Sequence, residues 1–240
     1  MLEGKRVVVI AGSSGIGADV ARQAAEKGAR VTITGRDPER LQSAAAAMPP
    51  GVETVAFDAT DRAKVIEFFA GCGPIDHLVS CVGFTEQGTL LGHDEDRARM
   101  VLEHKFWAQL FIVRAAHAQI ARDGSIVLTG GTSDERAIFP HFSAFSVIGN
   151  TAVGALVRGL AGEIAPVRIN VVEPTLTQTP LLGPITAAVE ELMARFVRSS
   201  PAAKVPQPAD VARSYIHAME SGLINGDRLR PDGGPSFSYW

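Results

Sequence analysis

"VVVIAGSSGIGADVA", residues 7–21, joins a β-branched apolar run to an alanine-bearing amphipathic one through a turn with glycines at 12, 15 and 17. Val7 to Ala11 is apolar at every position, the signature of a parallel strand buried on both faces. Gly12 permits a tight turn, Gly15 lets backbone amides approach a phosphate, and Gly17 allows close packing of helix on strand. A strand, a glycine turn and a helix in that order set a pyrophosphate on the helix N-terminus, so this stretch predicts a dinucleotide-binding βαβ unit.

Working outward, the same alternation continues. Strands are predicted at 6–11, 30–34, 52–57, 75–81, 124–129, 167–173 and 226–232, and helices at 16–27, 38–47, 61–70, about 94–121, 143–165 and 208–220. Such alternation means a Rossmann-type, doubly wound α/β fold: a parallel sheet of about seven strands with helices on both faces. A single domain over residues 1–240 is expected, long enough to bury a two-sided core at 46% hydrophobic content. The stretch 181–208, a short amphipathic helix between proline-rich ends, interrupts the pattern and reads as a lid or substrate loop.

Composition excludes several function classes. A net charge of −3 with no K/R-rich run supplies no basic field for nucleic acid. Cys72 and Cys81 fit no metal spacing and no disulfide framework, so no metal is expected. The chain enters its first strand without a signal-peptide pattern and no apolar stretch approaches membrane-spanning length, so no membrane partner and a cytoplasmic location are expected.

The loop Gly12-Ser13-Ser14-Gly15-Ile16-Gly17 resembles the Gly-x-x-x-Gly-x-Gly loop of the short-chain dehydrogenase/reductase family, with Ala11 where that loop usually begins with threonine. The likeness covers essentially the whole chain. Asp58, followed by Ala59, resembles the family's aspartate at the third strand end, which holds the adenine amino group. "SCVG" (80–83) lies where the family has Asn-Asn-Ala-Gly and keeps only the glycine, which puts Val82 and Gly83 at the cofactor. "EPTLTQT" (173–179) resembles the Pro-Gly-x-x-x-Thr turn around nicotinamide, with Thr175 replacing glycine; Pro174, Thr177 and Thr179 are its cofactor-binding members. "RPDGG" (230–234) resembles the family's ending.

The second strand ends in "TITGRD". An acid at its tip would hold the ribose hydroxyls of NAD and repel a 2′-phosphate, whereas Arg36 suits one, so NADP(H) is the expected cofactor. Neighbouring Asp37 is the residue that would cancel that charge.

The resemblance also implies a catalytic helix carrying Tyr-x-x-x-Lys, in which the tyrosine is the general acid/base and the lysine lowers its pKa and holds the nicotinamide ribose. Aligning "ALVRGLA" (155–161) without a gap puts Ser146 at the tyrosine position and Asn150 at the lysine position. A serine hydroxyl is a poor proton donor and too short to replace the phenol. On the preceding helix, the family's water-anchoring asparagine falls at Lys105. Lysine and asparagine have thus exchanged places on helices that face each other, which keeps one ammonium and one amide in the pocket; the competing reading has Lys105 snorkelling to the surface. The carbonyl-polarising hydroxyl is Thr132 or Ser133. His141 competes for the acid role, with His104, Asp134 and Glu135 weaker candidates, while Tyr215, Tyr239 and Trp240 do not restore the spacing.

Two classes of function follow: an atypical NADP(H)-dependent oxidoreductase acting on a small carbonyl, imine or enone, or a dinucleotide-binding sensor or non-catalytic subunit. Helices 94–121 and 143–165 resemble the family's paired interface helices, and Phe106, Trp107, Leu110, Leu156 and Leu160 on them predict a homotetramer or dimer.

Overall fold

The computed structural model describes residues 1–84, 95–132 and 144–234. Seven parallel strands are ordered β3-β2-β1-β4-β5-β6-β7: β1 (Arg6–Ile10), β2 (Arg30–Gly35), β3 (Glu53–Ala56), β4 (Ile75–Ser80), β5 (Ile120–Thr129), β6 (Arg168–Val172) and β7 (Arg228–Leu229). Strand order reverses between β1 and β4, and the crevice that opens beyond their carboxyl ends is where an open α/β sheet takes its ligand.

The two-residue alternation of each strand divides the core in two. Val8, Ile10, Leu78, Ile126 and Ile169 face α3 (Arg62–Cys72), α5 (Ala108–Ala116) and α6 (Ala144–Glu163). Val7, Val9, Val31, Ile33, Val79 and Val127 face α1 (Gly15–Glu26), α2 (Pro38–Ala46) and α8 (Pro208–Glu220). The segment read as a lid holds α7 (Ala187–Ser199), capped by the Thr186 hydroxyl.

Three expectations are corrected. The helix expected over 94–121 is broken: α4 (Glu95–Leu102) passes through a π turn (Glu103–Trp107) into α5, which ends at Ala116. Strand β5 begins at Ile120, four residues early, because Ile120 pairs with Ile75 before the register shifts to pair Ser125 with His77. Helix α6 is, by length and composition alone, apolar enough to cross a membrane, with a mean hydropathy of 1.3; in the fold its Val153 and Val157 are buried in the core.

Candidate active site

Beyond the carboxyl ends of β1, β2, β4, β5 and β6 lies one cleft of about 540 Å³. Its floor is the glycine loop. Gly15 takes φ +54°, where a side chain is strained, and a methyl at Gly17 would collide with the Ala11 carbonyl oxygen. Ser14 makes no capping hydrogen bond with its side chain and the first turn of α1 has no acid, so the helix N-terminus keeps its amides for an anion. Thr34 Oγ1, buried on the same cleft, has no hydrogen-bond partner among the described residues. These features fit a dinucleotide: Ser13, Ser14, Gly15, Ile16 and Gly17 would hold its pyrophosphate, and a bound nicotinamide would supply hydride chemistry at the far end. Gly12 turns the chain and donates its N–H to the Thr34 carbonyl at 2.9 Å.

Arg36 lines the cleft at the end of β2, and the structure resolves the part played by Asp37. The Asp37 carboxylate caps α2 by accepting from the Glu39 and Arg40 amides at 3.0 and 3.1 Å, and no ion pair engages Arg36 among the described residues. Arg40, one turn along α2, lines the same end. Sequence reading missed it, although its place in the first turn of the helix that follows Arg36 was the available signal. Asp58, Ala59, Val82 and Gly83 line the cleft as expected. Burial alone would push the Asp58 carboxyl up, yet the amide and hydroxyl of Thr60, with the charges of Arg36 and His104, hold it below the usual carboxylate range.

At the opposite end, Lys105, Ser146, Asn150 and Thr132 line the cleft together. Lys105 does not snorkel: it is 6% exposed, and its Nζ donates to Asn150 Oδ1 at 2.8 Å. The two stand in direct contact rather than on opposite sides of the pocket. Local sequence makes this possible. Gly149 leaves room for the lysine stem, whose Cβ would lie 3.2 Å from a methyl there, and Gly131 lets the Asn150 amide approach the end of β5. Within the π turn the Lys105 carbonyl accepts from Gln109 Nε2 at 2.8 Å; Gln109 also exchanges two hydrogen bonds with the Thr129 backbone. Burial, with no carboxylate among the described residues to offset it, pushes the Lys105 ammonium down to about 8.

Pro174, Thr177 and Thr179 border this end, with the Thr132 amide donating to the Pro174 carbonyl at 3.1 Å. Glu173, read only as part of a turn, is fully buried and accepts from Arg228 and Arg230 at 2.6 and 2.9 Å, which anchors the base of that turn. A glutamate directly after the apolar pair Val171–Val172 at the strand end was the available signal. Leu176, Leu181, Leu182 and Leu192 form an apolar wall. Tyr215 is occupied elsewhere: its hydroxyl, buried, lies 2.7 Å from Thr129 Oγ1, which donates to the Ser80 carbonyl. Ser133, Asp134, Glu135, His141, Tyr239 and Trp240 lie outside the described residues.

A family model described as "Enoyl-(Acyl carrier protein) reductase" matches residues 10–236. The chain belongs to the short-chain dehydrogenase/reductase family. It is 30% identical to Short-chain dehydrogenase/reductase ATR9 of Stachybotrys chlorohalonatus over 97% of each chain. It is 28% identical to 2-keto-3-deoxy-L-fuconate dehydrogenase of Xanthomonas campestris over 97% of this chain and 80% of that one. Among solved structures, the MalC Reductase/Diels-Alderase from Malbranchea aurantiaca superposes with a TM-score of 0.88 at 26% identity, covering 98% and 96% of the two chains. The protein is therefore an oxidoreductase of the short-chain dehydrogenase/reductase type, with a nicotinamide dinucleotide site and a small-molecule substrate.

Proposed function

We propose that this short-chain dehydrogenase/reductase is an atypical NADP(H)-dependent oxidoreductase whose proton and ribose chemistry is run by an exchanged lysine–asparagine pair. The observation that carries the reading is the buried hydrogen bond between Lys105 Nζ and Asn150 Oδ1 inside the cleft. Arg36, uncancelled by Asp37, supports NADPH over NADH. Thr132 or Ser133 orients the substrate oxygen, Ser146 leaves open the volume a phenol would fill, and Lys105 holds the nicotinamide ribose and relays the proton. Substrates are small carbonyls, imines or enones.

The same reading makes the protein a cytoplasmic homo-oligomer, a dimer or tetramer, in line with free Cys72 and Cys81. Trp107 and Ile148, 43% and 50% exposed, supply an apolar face on the helix pair, whereas Leu156 and Leu160 pack against the chain's own core. Light scattering at micromolar concentration should give a dimer or larger, and a monomer overturns the assembly.

Fluorescence titration with NADPH and NADH, followed by NADPH oxidation over panels of ketones, imines and enones, tests the whole reading. Tight NADPH binding with turnover of at least one panel is expected. NADPH binding with no turnover on any panel would favour a dinucleotide-binding sensor instead.

A further inference from the structure

We propose that the Lys105 ammonium receives the substrate's developing oxyanion, and that this makes the cleft selective for conjugated enones over isolated ketones. The inference rests on the dinucleotide reading above and adds the substrate class.

Lys105 is buried at the π turn, lines the cleft, and spends one N–H on Asn150 Oδ1. An ammonium has three N–H donors, so two remain for whatever occupies the cleft. Among the described residues, no carboxylate on the π turn, Glu103 included, or on the elements packed on it pairs with this ammonium. Helix α6 presents Ser146, Gly149 and Asn150, while its Glu163, Glu95 and Asp96 of α4, and the cleft-lining Asp37, Asp58 and His104 make no hydrogen bond or ion pair with Lys105. A buried cation without a fixed anion is costly, and a ligand that brings negative charge relieves that cost. The ammonium, held at about 8 by burial, matches an enolate far better than it matches the much more basic alkoxide of a reduced ketone. Ser146 supplies no strong acid that would close this gap. The wall of Leu176, Leu181, Leu182 and Leu192 suits the hydrocarbon part of such a substrate.

The step balances as follows. Hydride addition at the β-carbon moves the alkene pair into an enolate and the carbonyl pair onto oxygen; the two electrons come from a reduced nicotinamide, which is oxidised. The Lys105 proton passes to the enolate oxygen, a solvent proton restores the ammonium, and the enol tautomerises to the saturated ketone. The alkene is reduced and the carbonyl is regained.

The test uses the full chain with benzalacetone and its saturated product benzylacetone, plus para-nitrophenol as an absorbance probe of oxyanion binding that needs no turnover. Expected are NADPH-dependent reduction of benzalacetone at its alkene, little or none of benzylacetone at its carbonyl, and binding of the nitrophenol as its phenolate below its solution pKa. Lys105→Met should lose about 100-fold in enone turnover and lose the phenolate signal while keeping a cooperative melt; Lys105→Arg, which keeps the charge, should retain the phenolate signal. In the parent, kcat/KM should fall as pH rises through about 8. Comparable reduction of benzylacetone, or phenolate binding undiminished in Lys105→Met, would overturn the inference. Failure of NADPH to bind overturns the cofactor reading instead, and the nitrophenolate comparison still decides the role of Lys105.

Discussion

Lys105 Nζ and Asn150 Oδ1, 45 residues apart in sequence, meet at 2.8 Å in a buried seam between the π turn and α6. The contact brings together the two positions that the proposed function reads as an exchanged pair. It has consequences for stability and for binding, and the two run in opposite directions.

Lys105→Met should stabilise the ligand-free protein and weaken NADPH. The native ammonium titrates at about 8 against 10.5 unperturbed. Because the folded pKa is the lower, the protein gains stability as pH rises from about 8 to 10.5 and pays for a buried charge below that window. The full shift is worth about 3 kcal/mol, and losing the hydrogen bond to Asn150 Oδ1 returns about 1–2 of it, so a net gain of about 1–2 kcal/mol at neutral pH is expected. Denaturant melts with and without NADPH check both signs.

The double change Lys105→Asn with Asn150→Lys moves the ammonium to the family's usual helix. It should recover NADPH affinity better than either single change, and adding Ser146→Tyr to it should yield ketone reduction. Titration of the four proteins, followed by a ketone panel on the triple variant, measures this; a double variant no better than its singles contradicts the exchange.

Arg36→Ala should weaken NADPH by about 1.5–3 kcal/mol, the worth of a hydrogen bond to a charged group, and leave NADH nearly unchanged. Arg40→Ala should act in the same direction with a smaller effect, since Arg40 lines the same end of the cleft. Parallel titrations with the two dinucleotides separate a phosphate contact from general damage.

Gln109→Leu removes the side chain that ties the Lys105 carbonyl to the Thr129 backbone. Each orphaned buried group costs about 1–3 kcal/mol, so a loss of at least that size is expected in the melt. NADPH affinity should fall with it, because the π turn that aims Lys105 is then unsupported. An unchanged melt would mean that water replaces the amide.

His77 predicts an acid limb. Its imidazole lies between β4 and β5 with Nδ1 2.9 Å from Ser125 Oγ, and burial, reinforced by nearby Arg168 and Lys5, holds it down to about 4. The folded pKa is below the unfolded 6.5, so stability is full above pH 6.5 and is lost as pH falls toward 4, by about 3 kcal/mol. Replacing the pair with His77→Val and Ser125→Ala should flatten this part of the stability–pH curve.

Much of the fold was legible because burial leaves a periodic trace. Residues 7–21 alone carried strand, glycine turn and helix, and the structure gives Gly15 a positive φ and packs Gly17 against the Ala11 carbonyl. Arg36 was legible for the same reason: a charge at a strand tip needs only local order to be placed. Helix α5, by contrast, was extended through residue 121 because "HAQIA" is as compatible with a helix as with the 3-10 turn and early strand that Ile75 pairing selects.

The sequence by itself determined the alternation of strands and helices and the glycine-rich turn between the first strand and helix, since each is a matter of residue type and spacing along one segment. Tertiary structure decided that Lys105 is buried against Asn150 and that Leu156 and Leu160 pack, partly buried, against the chain's own core. Those outcomes depend on how one helix is rotated and inclined against another, which is set by packing at Gly131, Gly149 and the π turn.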